Sequence, residues 1–153
     1  MAEISRSRSV VGEPAAVWAV LGDFGSLSRW ADGVDHCCLL NADTHREPLG
    51  LTRRIQCDRD AFTETITAFE PQRSLAYAIV GVPRAFSVSN RWTLDARTDN
   101  GTTVTLTTVT LTTTVQTASA LMRPLGERVF ARLMGKRSET LLSSLAKALG
   151  GNP

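Results

Sequence analysis

An α+β fold, in which one long helix lies on an antiparallel sheet, is predicted by three features of the sequence. The first is the stretch from Ala118 to Gly150, the only long helical pattern in the chain. At 3.6 residues per turn, Val129, Phe130, Leu133, Met134, Leu141, Leu145 and Ala148 fall on one stripe, and Arg128, Arg132, Lys136, Glu139, Ser143 and Lys147 fall opposite. The second is the region from about Leu49 to Thr114, where apolar residues recur with a period of two. The third is a pair of short helical pieces between a first strand and the later ones, a β–αα–β opening found in several α+β folds.

Residues 3–11 carry Ile4, Val10 and Val11 among small polar residues and arginines, which predicts a first strand. Gly12-Glu13-Pro14 opens a helix, since proline in the first turn has no N–H to waste and an acid suits the positive end of the dipole. Val17, Trp18, Val20, Leu21 and Phe24 form its buried side. A second piece, Ser26 to Ala31, is anchored by Leu27 and Trp30 and leaves through Asp32-Gly33.

Strands then follow at short spacing. Val34 to Leu40 is the second, before a polar loop from Asn41 to Pro48. Leu49 to Cys57 is the third, with Leu51, Arg53, Ile55 and Cys57 on one face. Phe62 to Phe69 is the fourth, with Phe62, Glu64, Ile66 and Ala68 facing one way. The fifth is Leu75 to Val80, with Leu75, Tyr77 and Ile79 in register, broken by Gly81-Val82-Pro83. The sixth, Phe86 to Ala96, alternates most clearly: Phe86, Val88, Asn90, Trp92, Leu94 and Ala96 oppose Ser87, Ser89, Arg91, Thr93 and Asp95. Asp99-Asn100-Gly101 predicts a hairpin turn. The threonine-rich seventh strand, Thr102 to Thr114, shifts parity between Leu106 and Val109, which predicts a β-bulge near Thr107-Thr108. Gly150 and Gly151 end the long helix. A twisted sheet of seven strands curls, the helix covers its concave face, and a cavity is expected between them.

At 153 residues the chain is read as one domain, residues 1–153. Its 17 basic and 15 acidic residues are dispersed, a balance that argues against nucleic-acid binding. The three cysteines, Cys37, Cys38 and Cys57, have neither zinc spacing nor a disulfide framework, so a reducing, cytoplasmic setting with no metal and no cofactor is expected. No stretch reaches the length of a membrane span or a signal-peptide core, so no stable membrane insertion is expected.

Several fragments in order resemble the START-like helix-grip (SRPBCC) superfamily, in its polyketide cyclase/dehydrase and lipid-transport branch. They are Glu13-Pro14-Ala15-Ala16-Val17-Trp18 with Asp23-Phe24 and Arg29-Trp30; Leu49-Gly50-Leu51-Thr52-Arg53; Thr63-Glu64-Thr65-Ile66; Leu75-Ala76-Tyr77 through Gly81; Arg91-Trp92-Thr93-Leu94; and Gly101-Thr102. The resemblance covers essentially the whole chain. It implies a deep, mostly apolar cavity between sheet and C-terminal helix that holds sterols, lipids, polyketides or plant hormones. Few members catalyse reactions, and those that do share no catalytic motif.

Candidate site residues follow from the inward rows. Glu64 lies between Phe62 and Ile66, where a buried acid needs a partner, and Arg53 on the adjacent strand can supply one. In related plant hormone receptors an acid at a similar strand position lines the cavity. The pair orients a ligand oxygen, or it is a structural ion pair. Arg137 interrupts the apolar stripe near Ser144; it anchors a ligand carboxylate, or its stem packs on apolar surface while its head reaches water. Tyr77 and Asn90 offer a phenol and an amide to a ligand or to the core. Ile66, Ile79, Phe86, Trp92, Val129 and Leu133 supply the apolar wall. His36 beside Cys37 and Cys38 suggests a metal or an acid/base pair with Glu64, but neighbours in a strand point to opposite faces. Arg128, Arg132 and Lys136 form an outer basic line, read as a solvated face or a weak dock for anionic membrane.

The expected function is binding or transport of a hydrophobic small molecule (lipid, fatty acid or polyketide-like) by a monomer or homodimer. The alternative is an aromatase/cyclase-type enzyme, for which Glu64, Arg53 and Tyr77 form the only team of acid and base groups. A third reading is a stress or toxin–antitoxin partner acting through an exposed apolar patch.

Overall fold

The computed structural model describes residues 1–81, 86–98, 105–117 and 123–150. Strand β1 (Ala2–Val11) leads into helix α1 (Pro14–Leu21), which starts on proline as the sequence dictates. A 3-10 helix, Phe24–Arg29, follows. Six further strands, β2 (His36–Leu39), β3 (Thr52–Cys57), β4 (Asp60–Glu70), β5 (Ser74–Val80), β6 (Phe86–Thr98) and β7 (Thr105–Thr117), precede the long helix α2 (Arg123–Ala148). The predicted Asp99-Asn100-Gly101 turn, the break at Val82-Pro83, the first residues of the predicted long helix and Gly151 lie outside the described residues.

The strands form one antiparallel sheet in the order β1-β7-β6-β5-β4-β3-β2, so the first strand closes against the last. Its core face buries Val10, Ile55, Ile66, Leu75, Tyr77, Trp92, Val109 and Leu111 against Val17, Leu21, Phe24 and Leu27 of the two short helices and Leu141, Leu142 and Leu145 of α2.

The bulge is in a different strand from the one expected. In β7 the register with both neighbours runs unbroken, and Thr107, Val109, Leu111, Thr113, Val115 and Thr117 all face inward. Leu106 lies on the other face, so the parity shift in the sequence records a buried threonine and a half-covered leucine. The sheet instead bulges in β4 between Ile66 and Ala68. Beyond it Phe69 packs on the core edge-to-face with Trp18, at 5.1 Å, in place of the predicted Ala68.

The long helix is also turned relative to the expected stripe. Ala131, Gly135, Ser138, Leu141, Leu142 and Leu145 face inward, whereas Val129 and Leu133 are 55% and 57% exposed. Small residues win the seam because the helix approaches β1 closely. A Cβ on Gly135 would stand 2.6 Å from the Cδ1 of Ile4. A bulky side chain on that line would lift the helix off the sheet.

Candidate binding site

The polar centre of the molecule is built where β3, β4 and β5 run side by side. Their pairing sets Arg53 opposite Glu64 and Glu64 opposite Ile79. Arg53 and Glu64 are 3% and 5% exposed. The Arg53 Nε donates to Glu64 Oε1 at 2.8 Å, and its Nη2 lies 2.6 Å from the same oxygen. Arg53 Nη1 donates to the Phe24 carbonyl at 3.0 Å, and the guanidinium lies over the Phe24 ring at 3.8 Å. One buried cation is therefore satisfied by a carboxylate, a carbonyl and a π face.

A second chain of hydrogen bonds crosses β5, β6, β7 and α2. Asn90 Nδ2 and Trp92 Nε1 donate to the Tyr77 hydroxyl oxygen at 3.3 and 3.2 Å. Thr113 Oγ1 donates to Asn90 Oδ1 at 2.7 Å and lies 3.4 Å from Ser138 Oγ, which donates to the Met134 carbonyl. Burial, and then the nearby Glu64 charge, push the Tyr77 phenol above its ordinary value. The phenol therefore stays protonated.

Between these two systems and α2 lies a space lined by Phe62, Glu64, Ile79, Asn90, Thr113, Met134, Arg137, Ser138 and Leu141. Its volume is about 20 Å³. That is room for about one water, far from the deep cavity the resemblance implies. The reason is visible in the lining: four α2 side chains project into the gap and fill it. A second space of about 130 Å³, lined by Asp32, Gly33, Val34, Cys57, Arg137, Thr140 and Leu141, lies beyond them. Arg137 and Leu141 belong to both linings and form the wall between. Arg137 donates through Nη2 to Cys57 Sγ at 3.2 Å, and its guanidinium is 5.3 Å from the Phe62 ring centre.

Among the residues predicted for the site, Glu64, Ile79, Asn90 and Arg137 line the inner space, and Arg53 and Tyr77 stand directly behind Glu64 and Asn90. Ile66 and Trp92 are buried in the main core, and Phe86 stacks on Phe130 at 4.6 Å in a separate cluster. Val129 and Leu133 lie outside, on the exposed side of α2, because the seam of small residues turns them away from the sheet. His36 is exposed while Glu64 is buried, so the two make no acid/base pair. Cys37 faces inward, its Sγ 3.8 Å from the Phe24 carbonyl, and burial raises its thiol above the usual value. Ser144 donates to the Thr140 carbonyl and accepts from the Asp32 N–H. Thr113 and Ser138 are additions. Thr113 continues the parity of Val109 and Leu111, and Ser138 sits on the line Met134, Ser138, Leu141, Leu145, so both signals were in the sequence.

A model of the family described as polyketide cyclase/dehydrase and lipid transport matches residues 1–150. No curated protein matches the chain. Among solved structures, the protein XoxI from Bacillus cereus aligns with a TM-score of 0.77 at 19% identity, over 97% of this chain and 96% of its own. The Zhui aromatase/cyclase of a Streptomyces species aligns at 0.69 and 16% identity, over 97% and 93%. A START superfamily protein from Mycobacterium smegmatis aligns at 0.67 and 16% identity, over 97% of each chain. At these identities the likeness is one of fold: a curled antiparallel sheet around a C-terminal helix. Among the described residues, no helix is long and apolar enough to cross a membrane.

Proposed function

Because the chain belongs to the polyketide cyclase/dehydrase and lipid-transport family, with the START-like helix-grip fold, we propose that it binds a hydrophobic small molecule bearing oxygen functions between the sheet and α2. The observation that carries this reading is the lining of the inner space. Phe62, Ile79, Met134 and Leu141 offer apolar surface, while Glu64, Asn90, Thr113 and Ser138 bring polar atoms to one point. Apolar walls with a few convergent polar groups are the usual composition of a small-molecule site. Burial of ligand carbon supplies most of the affinity at about 25 cal/mol per Å², and the polar atoms select its orientation. Occupation requires α2 side chains to withdraw, so the ligand and the closed wall compete for the same volume.

Binding without chemistry is favoured over cyclisation by the state of the three candidate reagents. Glu64 is held through Oε1 by Arg53, and Tyr77 is a neutral phenol behind Asn90. The Arg53 guanidinium and the Tyr77 hydroxyl oxygen are thus engaged by buried protein partners. The likeness to aromatase/cyclases keeps the catalytic alternative specific enough to test. Native mass spectrometry of the protein purified from its own host, followed by denaturing extraction, is expected to find a discrete hydrophobic compound. Incubation of that compound with fresh protein should return it unchanged. Recovery in a cyclised or dehydrated form would replace the carrier reading with the catalytic one, and failure to bind any hydrophobic compound would end both.

A further inference from the structure

We propose that Arg137 recognises an ionised carboxylate, so that the ligand class is amphipathic acids rather than neutral lipids or sterols. The inference rests on the binding reading above and adds the chemistry of the ligand head. Arg137 is half-buried and lines both the inner and the outer space. Of the other charges at these linings, Glu64 is matched by Arg53 at 2.6 Å, and Asp32 is exposed to solvent with Lys147 4.0 Å away. Among the described residues Arg137 itself has no ion pair. Arg137 is therefore the partly buried charge at these linings that has no opposite charge paired with it, and it belongs to both linings.

What holds that guanidinium is weak. Its contacts are a thiol sulfur at 3.2 Å and an aromatic ring at 5.3 Å. Neither competes with a carboxylate, which meets the planar fork through two charge-assisted hydrogen bonds. An acid entering from the outer space draws the guanidinium off Cys57 and Phe62, and the same movement removes the partition between the spaces. The ligand's apolar body then reaches Phe62, Ile79 and Met134 with its head held at Arg137. A neutral molecule of the same shape gains no such exchange and must displace the side chain without compensation.

The test is a pair of probes of matched shape, 2-naphthoic acid and 2-naphthalenemethanol, titrated calorimetrically into the full chain at neutral pH. Wild-type protein should bind the acid at least about tenfold more tightly, the equivalent of one charge-assisted contact pair. Arg137→Gln should lose that preference through weaker acid binding, while the alcohol, no longer obstructed by the guanidinium, binds at least as tightly as to the wild type. Arg137→Lys, which keeps the charge but not the fork, should retain only part of the preference. Equal affinities in the wild type, a result independent of any variant, would overturn the inference and leave the binding reading intact. An unchanged acid preference in Arg137→Gln would also overturn it. Failure of both probes to bind would overturn this inference, whereas the binding reading falls only if the extraction experiment finds no hydrophobic compound.

Discussion

Arg53 and Glu64 show how one contact can be both readable in a sequence and ambiguous in meaning. Strand parity alone places both side chains inward, because residues two apart share a face. Their match across β3 and β4 then follows from the tight connection through Asp58, whose φ of 56° lets the chain reverse. The bond between Asn90 and Tyr77 was not legible in the same way. Both side chains read as inward, but whether an amide reaches a phenol or a ligand depends on lateral register, which alternation does not encode. Glu64→Gln leaves the buried Arg53 charge with neutral acceptors only, the Gln amide oxygen and the Phe24 carbonyl, beside ring faces, and is expected to cost about 3 kcal/mol of stability. Arg53→Met with Glu64→Met removes both charges and should recover at least half of that loss. Urea unfolding of the three proteins checks this. A loss below about 1 kcal/mol in Glu64→Gln would mean that water already solvates the pair. Loss of binding in Glu64→Gln alone therefore says little about ligand contact until the double variant has been compared.

Among the elements, α2 buries a different face from the one its hydrophobic pattern predicts, for a reason that lies in size. A stripe drawn through the bulkiest apolar residues selects Val129 and Leu133. The close approach to Ile4 instead demands Ala131, Gly135 and Ser138 on that seam. Hydrophobicity marks which residues prefer burial, whereas interaxial distance decides which can have it. The end of β5 is a sharper case, since Gly81 was legible as a breaker and the structure shows why no other residue fits. Its φ is +109°, and an added Cβ would stand 2.8 Å from the Ala61 carbonyl oxygen and 3.3 Å from the Phe62 Cα. Both are backbone atoms that have no rotamer to change. Gly81→Ala is expected to cost about 1–3 kcal/mol, and to weaken ligand binding through the displaced Phe62. Gly33→Ala is the control, because Gly33 shares a positive φ of +84° but has nothing within 4 Å of the added carbon. Thermal melts should show the larger loss at Gly81. Equal losses would assign the whole effect to backbone conformation.

For the whole molecule, the sequence discloses the order of the sheet more readily than the volume inside it. Short connections from β3 through β6 dictate a meander there, whereas the space left under α2 depends on how far four side chains reach into the gap. Tyr77 offers a direct probe of how well that interior is sealed, since it is the only tyrosine in the chain. Folding raises its phenol above the ordinary 10.0 and so favours the protonated form. That contribution to stability is complete at neutral pH and declines as pH climbs past about 10, where the unfolded chain releases a proton that the folded chain keeps. Tyrosinate absorbance should therefore appear only with unfolding, in step with the loss of tryptophan fluorescence. Titration near 10 in a chain with unchanged circular dichroism would show that water reaches the phenol. The pairing of Ala2 with Val115 has a further consequence, for birth rather than for binding. On the ribosome β1 emerges before the rest of the sheet and finds its partner strand only once Thr105–Thr117 has been translated. Until then β6, which ends inside the sheet between β5 and β7, has its β7-facing side unpaired. A nascent chain that stalls before that last strand leaves both halves of the seam open to neighbouring chains.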